Sequence, residues 1–124
     1  LFVLFIGGCS EVIGVYTGWI FGDYFYTDEW WPTVPLPLPH PYLDWRNPLY
    51  PLMLPFAWIM IVGACQAFLP EGIKGKPRAL LTATIATLYD FALMEPVMVE
   101  KLHYWVWRYN LDGLPFGVPW HNYA

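Results

Sequence analysis

DYFYTDEWWPTVPLPLPHPYLDWRNP, residues 23–48, holds six prolines among 26 residues. Proline has no backbone N–H and a fixed φ, so this density argues against a helix or a central strand, and PLPLPHP favours extended polyproline II. The stretch therefore reads as a stiff, aromatic loop. Trp30, Trp31, Tyr42 and Trp45 within it suit a membrane–water interface, where an amphipathic ring lies half in lipid. A second reading makes the loop a cover over a long apolar ligand.

With this loop set aside, the remaining sequence reads as helices in lipid. The 124 residues are 57% hydrophobic, 20% aromatic and only 13% charged. Crossing a bilayer core of about 30 Å takes roughly 20 helical residues. Three stretches are long enough: about 1–22, 49–69 and 79–99. The first is a poor signal peptide, because no basic segment precedes it and its apolar run is too long. The expected fold class is all-α, a polytopic membrane helix bundle of about three transmembrane helices plus aromatic, proline-rich loops. Residues 1–124 form one membrane domain in this reading, expected to be a fragment whose flanking helices lie before Leu1 and after Ala124.

Lys and Arg distribution sets the expected orientation. PEGIKGKPR, residues 70–78, carries Lys74, Lys76 and Arg78, whereas 23–48 carries Asp23, Asp28, Glu29 and Asp44 against Arg46. The short loop 70–78 is thus expected in the cytoplasm, with 23–48 and the C-terminal loop 100–124 outside. The expected location is the cytoplasmic (inner) membrane of a prokaryote. Cys9 and Cys65 fall within spans and read as small apolar fillers rather than a disulfide. No basic patch suits nucleic acid.

The first span carries one acid, Glu11. At helical spacing Gly7, Glu11, Gly14, Gly18 and Gly22 share a stripe, the arrangement by which membrane helices bring their backbones together. Glu11 is expected to face protein. The third span carries two more acids, Asp90 near its middle and Glu95 just before Pro96. An ionised carboxylate at a membrane helix centre costs about 2.5–3.5 kcal/mol, and each Leu, Ile, Phe or Val offsets only about 0.3–0.6. Two acids in one span therefore require partners inside the bundle. On an ideal helix Glu95 lies about 140° around from Asp90, so a common cavity depends on a bend at Pro96.

Burial favours the neutral form of a carboxyl, so neighbouring acids can serve as an acid and a base together. A protonated carboxyl in an aromatic pocket can protonate an alkene, with ring faces stabilising the carbocation and a second carboxylate orienting water. The same acids equally suit a proton relay or cation pathway in a transporter.

Three blocks carry a resemblance. EVIGVYTGWIFGDYFYT, PLYPLMLPFAWIMI and YDFALMEPVMVEKLHYWVW with GLPFGVPWHNY resemble, in order, the integral-membrane carotenoid biosynthesis family that includes carotenoid hydratases of the bisanhydrobacterioruberin hydratase kind. The resemblance touches most of the chain. It implies hydration of the terminal double bond of an acyclic (ψ) carotenoid end, by a hydro-lyase that needs no cofactor. It implicates Glu11, Asp90 and Glu95 as the acids, with Tyr24, Tyr26, Trp58, Trp105, Trp107 and Asn122 around the substrate. Asp90 or Glu95 is expected to donate the proton and Glu11 to hold water. The expected partners are a carotenoid or other long apolar polyene, the lipid bilayer, and missing helices or other membrane subunits.

Other residues have plainer readings. His40, His103 and His121 lack metal-ligand spacing and read as hydrogen-bonding residues, so no metal is expected. Trp105 and Trp107, alternating with Val106, read as interfacial residues or as ligand contacts. Gly113, Pro115, Gly117 and Pro119 read as turns, or as the means of bringing Asn122 to a cavity mouth. An alternative to catalysis is a noncatalytic pigment-binding or scaffolding subunit of a larger membrane complex, which has little use for three buried acids.

Overall fold

The computed structural model describes residues 1–19, 21–108 and 118. Helix α1 (Phe2–Thr17) ends where Gly18 adopts the left-handed conformation, φ 62°, and donates its N–H to the Gly14 carbonyl. A side chain at Gly18 would run into the Asp23 carboxylate. Gly22, at φ 103°, turns the chain again and leads into strand β1 (Tyr24–Tyr26). Strand β2 (Thr33–Pro35), a 3₁₀ turn (Pro41–Leu43) and strand β3 (Leu49–Pro51) follow. Next come helix α2 (Leu54–Ala67) and helix α3 (Gly75–Tyr89). A π-helical turn (Asp90–Met94) joins α3 to the short α4 (Glu95–Met98), and strand β4 (Trp105–Trp107) returns to the sheet.

The architecture is mixed α/β and corrects the all-α expectation. Four antiparallel strands lie in the order β2-β3-β1-β4. Three of them arise within or beside the stretch whose prolines argued for an irregular loop. The prolines are tolerated because of where they fall. Leu36 donates to the Pro48 carbonyl and Leu52 to the Pro32 carbonyl, so alternation along the ladder puts Pro35 and Pro51 at positions that exchange no hydrogen bond between β2 and β3. Pro32 and Pro48 contribute only carbonyl acceptors. Strand β2 is also a sheet edge, where a missing N–H costs least.

The expected spans change as well. Helix α1 has 16 residues and α2 has 14. At 1.5 Å per residue they reach about 24 and 21 Å, short of a hydrocarbon core of about 30 Å. One described helix, the continuous Gly75–Met98 of 24 residues, is long and apolar enough to cross a membrane. Span 1–22 overshot because Gly18 and Gly22 lie beyond the helix, and span 49–69 because its first residues pair in β3. The expected glycine stripe is divided accordingly. Gly7 meets Trp58 of α2 and Gly14 meets Phe21 and Tyr24, while Gly18 and Gly22 serve as turns.

Period-two alternation sets the inward face of the sheet. Tyr24 pairs with Trp107 and Tyr26 with Trp105, placing two phenols and two indoles on one face, while Val106 points out. Val15, Tyr24, Tyr26, Leu36, Tyr50, Leu54 and Trp105 make the buried cluster between that face and α1 and α2. Helix α2 turns into α3 with the Arg78 guanidinium donating to the carbonyls of Gln66, Pro70 and Ile73. Gln66 lies in the last turn of α2 and Pro70 and Ile73 in the connection, so one guanidinium ties the whole turn together. The opposite faces of the helices carry exposed apolar side chains, including Phe5, Phe56, Met60, Leu80 and Leu88.

Candidate active site

Glu11 stands on the inner face of α1, one helical turn from Gly7 and from Gly14, and is 6% exposed. The absence of side chains at those glycines lets Trp58 and Tyr24 close in on either side of it. Three donors reach its carboxyl. Tyr24 and Tyr26 of β1 both donate their hydroxyls to Oε2, the second at 2.7 Å, and the Trp58 indole of α2 donates to Oε1 at 3.0 Å. The two tyrosines can share one oxygen because residues two apart on a strand point the same way. Burial raises both phenols above their usual value, and the neighbouring Glu11 carboxylate adds to the effect. Both therefore remain hydrogen-bond donors at neutral pH.

Glu95 is 2% exposed, and its Oε2 accepts the Trp107 indole N–H at 2.9 Å. Its position depends on the π turn. The Glu95 N–H donates to the Asp90 carbonyl, five residues back rather than four. The wider turn brings side chains five apart onto neighbouring faces, closer together than the roughly 140° offset of an ideal α-helix. It comes directly before Pro96, whose ring would crowd the carbonyl four residues back and whose nitrogen has no proton to donate. Asp90 and Glu95 accordingly reach the same space through a widened turn, not through the expected proline bend.

That space is a partly open cavity of about 170 Å³. Glu11, Asp90 and Glu95 all line it, together with the rings of Phe21, Tyr26, Trp30, Trp58, Trp105 and Trp107. Acidic residues from α1 and from the α3–α4 helix thus line one aromatic chamber. Tyr24 stands behind the wall, gripping Glu11 while packing edge-on against Tyr26 with ring centroids 5.4 Å apart. Trp105 and Trp107 reach inward from β4, opposite in direction to Val106. Asn122, His121 and the turn residues Gly113, Pro115, Gly117 and Pro119 lie outside the described residues.

Sequence reasoning did not single out Trp30 as a site residue, placing it with the loop's other rings at a membrane interface or in a cover over a long apolar ligand. Its ring lines the cavity and stacks on Tyr104, centroids 5.2 Å apart and planes inclined by 15°. No periodic signal marks it, because it lies in an irregular segment between two short strands. Trp31, by contrast, is 81% exposed. His40 is buried against Tyr16, with Nε2 3.3 Å from the Tyr16 carbonyl and Nδ1 accepting the Tyr42 N–H. Among the described residues, no group of three His, Cys, Asp or Glu side chains is arranged to hold a metal ion.

Chemically, the chamber combines carboxyls able to exchange protons with ring faces that attract positive charge. No curated protein and no solved structure matches this chain. The model of a family described as carotenoid biosynthesis protein matches residues 1–124, the full length given, and the chain belongs to that carotenoid biosynthesis family.

Proposed function

We propose that this protein adds water to the terminal double bond of an acyclic (ψ) carotenoid end. The observation that carries the reading is the convergence of Glu11, Asp90 and Glu95 from separate helices on one ring-lined cavity. A protonated Asp90 or Glu95 gives its proton to the less substituted alkene carbon. The tertiary cation forms on the other carbon and is stabilised by the surrounding ring faces. Water then bonds to that carbon and passes a proton to Glu11, which the three donors hold in place as an acceptor. The product gains one water with no change in oxidation state.

The division of roles follows the hydrogen bonds. Three donors favour the ionised form of Glu11, the form a proton acceptor needs, whereas Glu95 is met by indoles and by no phenol. Trp58 and Tyr24 orient Glu11, Trp107 orients Glu95, and Tyr26, Trp105 and Trp30 face the substrate. The same reading places Gly75–Met98 across the cytoplasmic membrane of a prokaryote, supported by its length and its exposed apolar face. Lys74, Lys76 and Arg78 stand at its cytoplasmic end.

The test is expression of the full-length protein in a host that makes lycopene, followed by mass analysis of the pigments. A gain of one water is expected, and Asp90→Asn and Glu95→Gln remove it. Lycopene returned unchanged by folded wild-type protein sinks the hydration reading and leaves pigment binding or scaffolding.

A further inference from the structure

The cavity is too small for the substrate it is assigned. A cavity of about 150 Å³ takes a benzene molecule, and ordinary ligand pockets run to about 300–1,000 Å³. The chamber here measures about 170 Å³. It has room for a group of five or six carbons beside a water molecule, which is one terminal isoprene unit. The rest of the polyene must leave through the open side.

The exposure of the lining residues distinguishes floor from mouth. Glu11, Tyr26, Glu95 and Trp105 are buried and form the floor against α1 and the sheet. Most of the other lining residues, Ala57 of α2 and Ala86 of α3 among them, are half-buried, and Tyr89 of α3 stands out as 41% exposed. The exposed lining residue therefore marks the open side at α3, one turn from Ala86, and Ala57 of α2 lines the same cavity with only a methyl group. Ala86 is about 16 Å along the helix from Gly75 and about 18 Å from Met98, at 1.5 Å per residue. An opening at that position lies within the apolar band, not at either end of the helix. The adjoining surface, at Phe56, Met60 and Leu88, is exposed and apolar.

We infer that the gap between α2 and α3, bordered by Ala57, Ala86 and Tyr89, is a lateral subsite through which one end of an acyclic polyene enters from the lipid. The remaining chain lies along the apolar α2–α3 face. This rests on the proposed carotenoid substrate and adds where that substrate enters and how much of it is enclosed. A cyclised end group, bulkier by several carbons than one isoprene unit, does not fit with its water.

The experiment uses full-length protein in phospholipid vesicles, with lycopene as the probe and indole fluorescence as the readout. A polyene end beside Trp58, Trp105 and Trp107 quenches their emission whether or not water is added. Ala57→Phe and Ala86→Phe are expected to abolish this quenching with unchanged helical circular dichroism. Leu80→Phe, on the exposed part of α3, is expected to retain it. Tyr89→Ala tests the opening without adding bulk and is expected to speed quenching by lycopene. Wild-type quenching that survives both alanine substitutions, or an unchanged rate in Tyr89→Ala, overturns the lateral subsite. Wild-type protein that quenches but adds no water keeps the subsite and removes only the hydration reading.

Discussion

The Glu95 N–H donates to the Asp90 carbonyl five residues earlier, and this one widened turn puts both carboxyls on the wall of the same cavity. An α-helical turn at that point would carry one of them to a different face. The placement of the two acids is therefore a backbone property, created where the helix must accommodate Pro96.

Pro96→Ala restores the N–H that Pro96 lacks and favours a regular α-helical turn, with Asp90 and Glu95 still five residues apart and so about 140° around from each other. Glu95 rotates away from Trp107, and the proposed hydration of lycopene is expected to disappear while helix content is retained. Pigment mass and circular dichroism of the same membrane preparation check this. Hydration that persists in Pro96→Ala removes the π turn from the mechanism.

Glu11→Ala leaves the hydroxyls of Tyr24 and Tyr26 and the indole of Trp58 without their acceptor. Unsatisfied buried donors cost about 1–3 kcal/mol each, and the phenols can partly reorient, so an overall loss of about 3 kcal/mol is expected. Glu11→Gln keeps one acceptor oxygen and nearly the same volume, so its loss is about 1 kcal/mol. Denaturant unfolding in detergent measures both, and equal losses would show that the network contributes little.

The same substitution is expected to have opposite signs at two helical glycines. A Cβ at Gly7 would sit 2.8 Å from Trp58 Cγ, so Gly7→Ala pushes the indole off Glu11 and costs about 1–3 kcal/mol. At Gly63 nothing lies within 4 Å, and Gly63→Ala gains about 0.5–1 kcal/mol from helix propensity. Unfolding midpoints of the two variants on either side of wild type are the expected result.

Alkaline pH is expected to weaken the fold through Tyr24 and Tyr26. Burial, reinforced by Glu11, holds both phenols above the ordinary value of 10.0. Below that value both folded and unfolded states keep the protons, and the contribution to stability is constant. Above it the unfolded chain releases protons that the folded chain retains, so stability falls as pH rises. The difference in tyrosinate absorbance between wild type and the Tyr24→Phe, Tyr26→Phe double variant should stay flat through pH 10 until the helices melt. Titration of the pair in intact protein would contradict the buried network.

Much of this site was legible in one dimension. Three acids in apolar surroundings stand out because each is expensive there without a partner, and the blocks around them carried the family resemblance that the family match confirms. The strands were not legible. Each is three residues long, too short for alternation to register, and their prolines looked prohibitive until pairing placed Pro35 and Pro51 where no ladder bond is made. Helix ends were misread for a related reason, since hydropathy continues past Gly18 although the backbone does not.

Composition and local chemistry thus established which residues are costly to bury and which lineage the chain shares, because those properties belong to side chains one at a time. Convergence belongs to the folded chain. Two tyrosines on one strand face, an indole across the glycine gap at residue 7, and a five-residue turn before a proline bring Glu11, Asp90 and Glu95 to one chamber. Each depends on strand register or hydrogen-bond spacing, neither of which leaves a periodic trace in so short a segment.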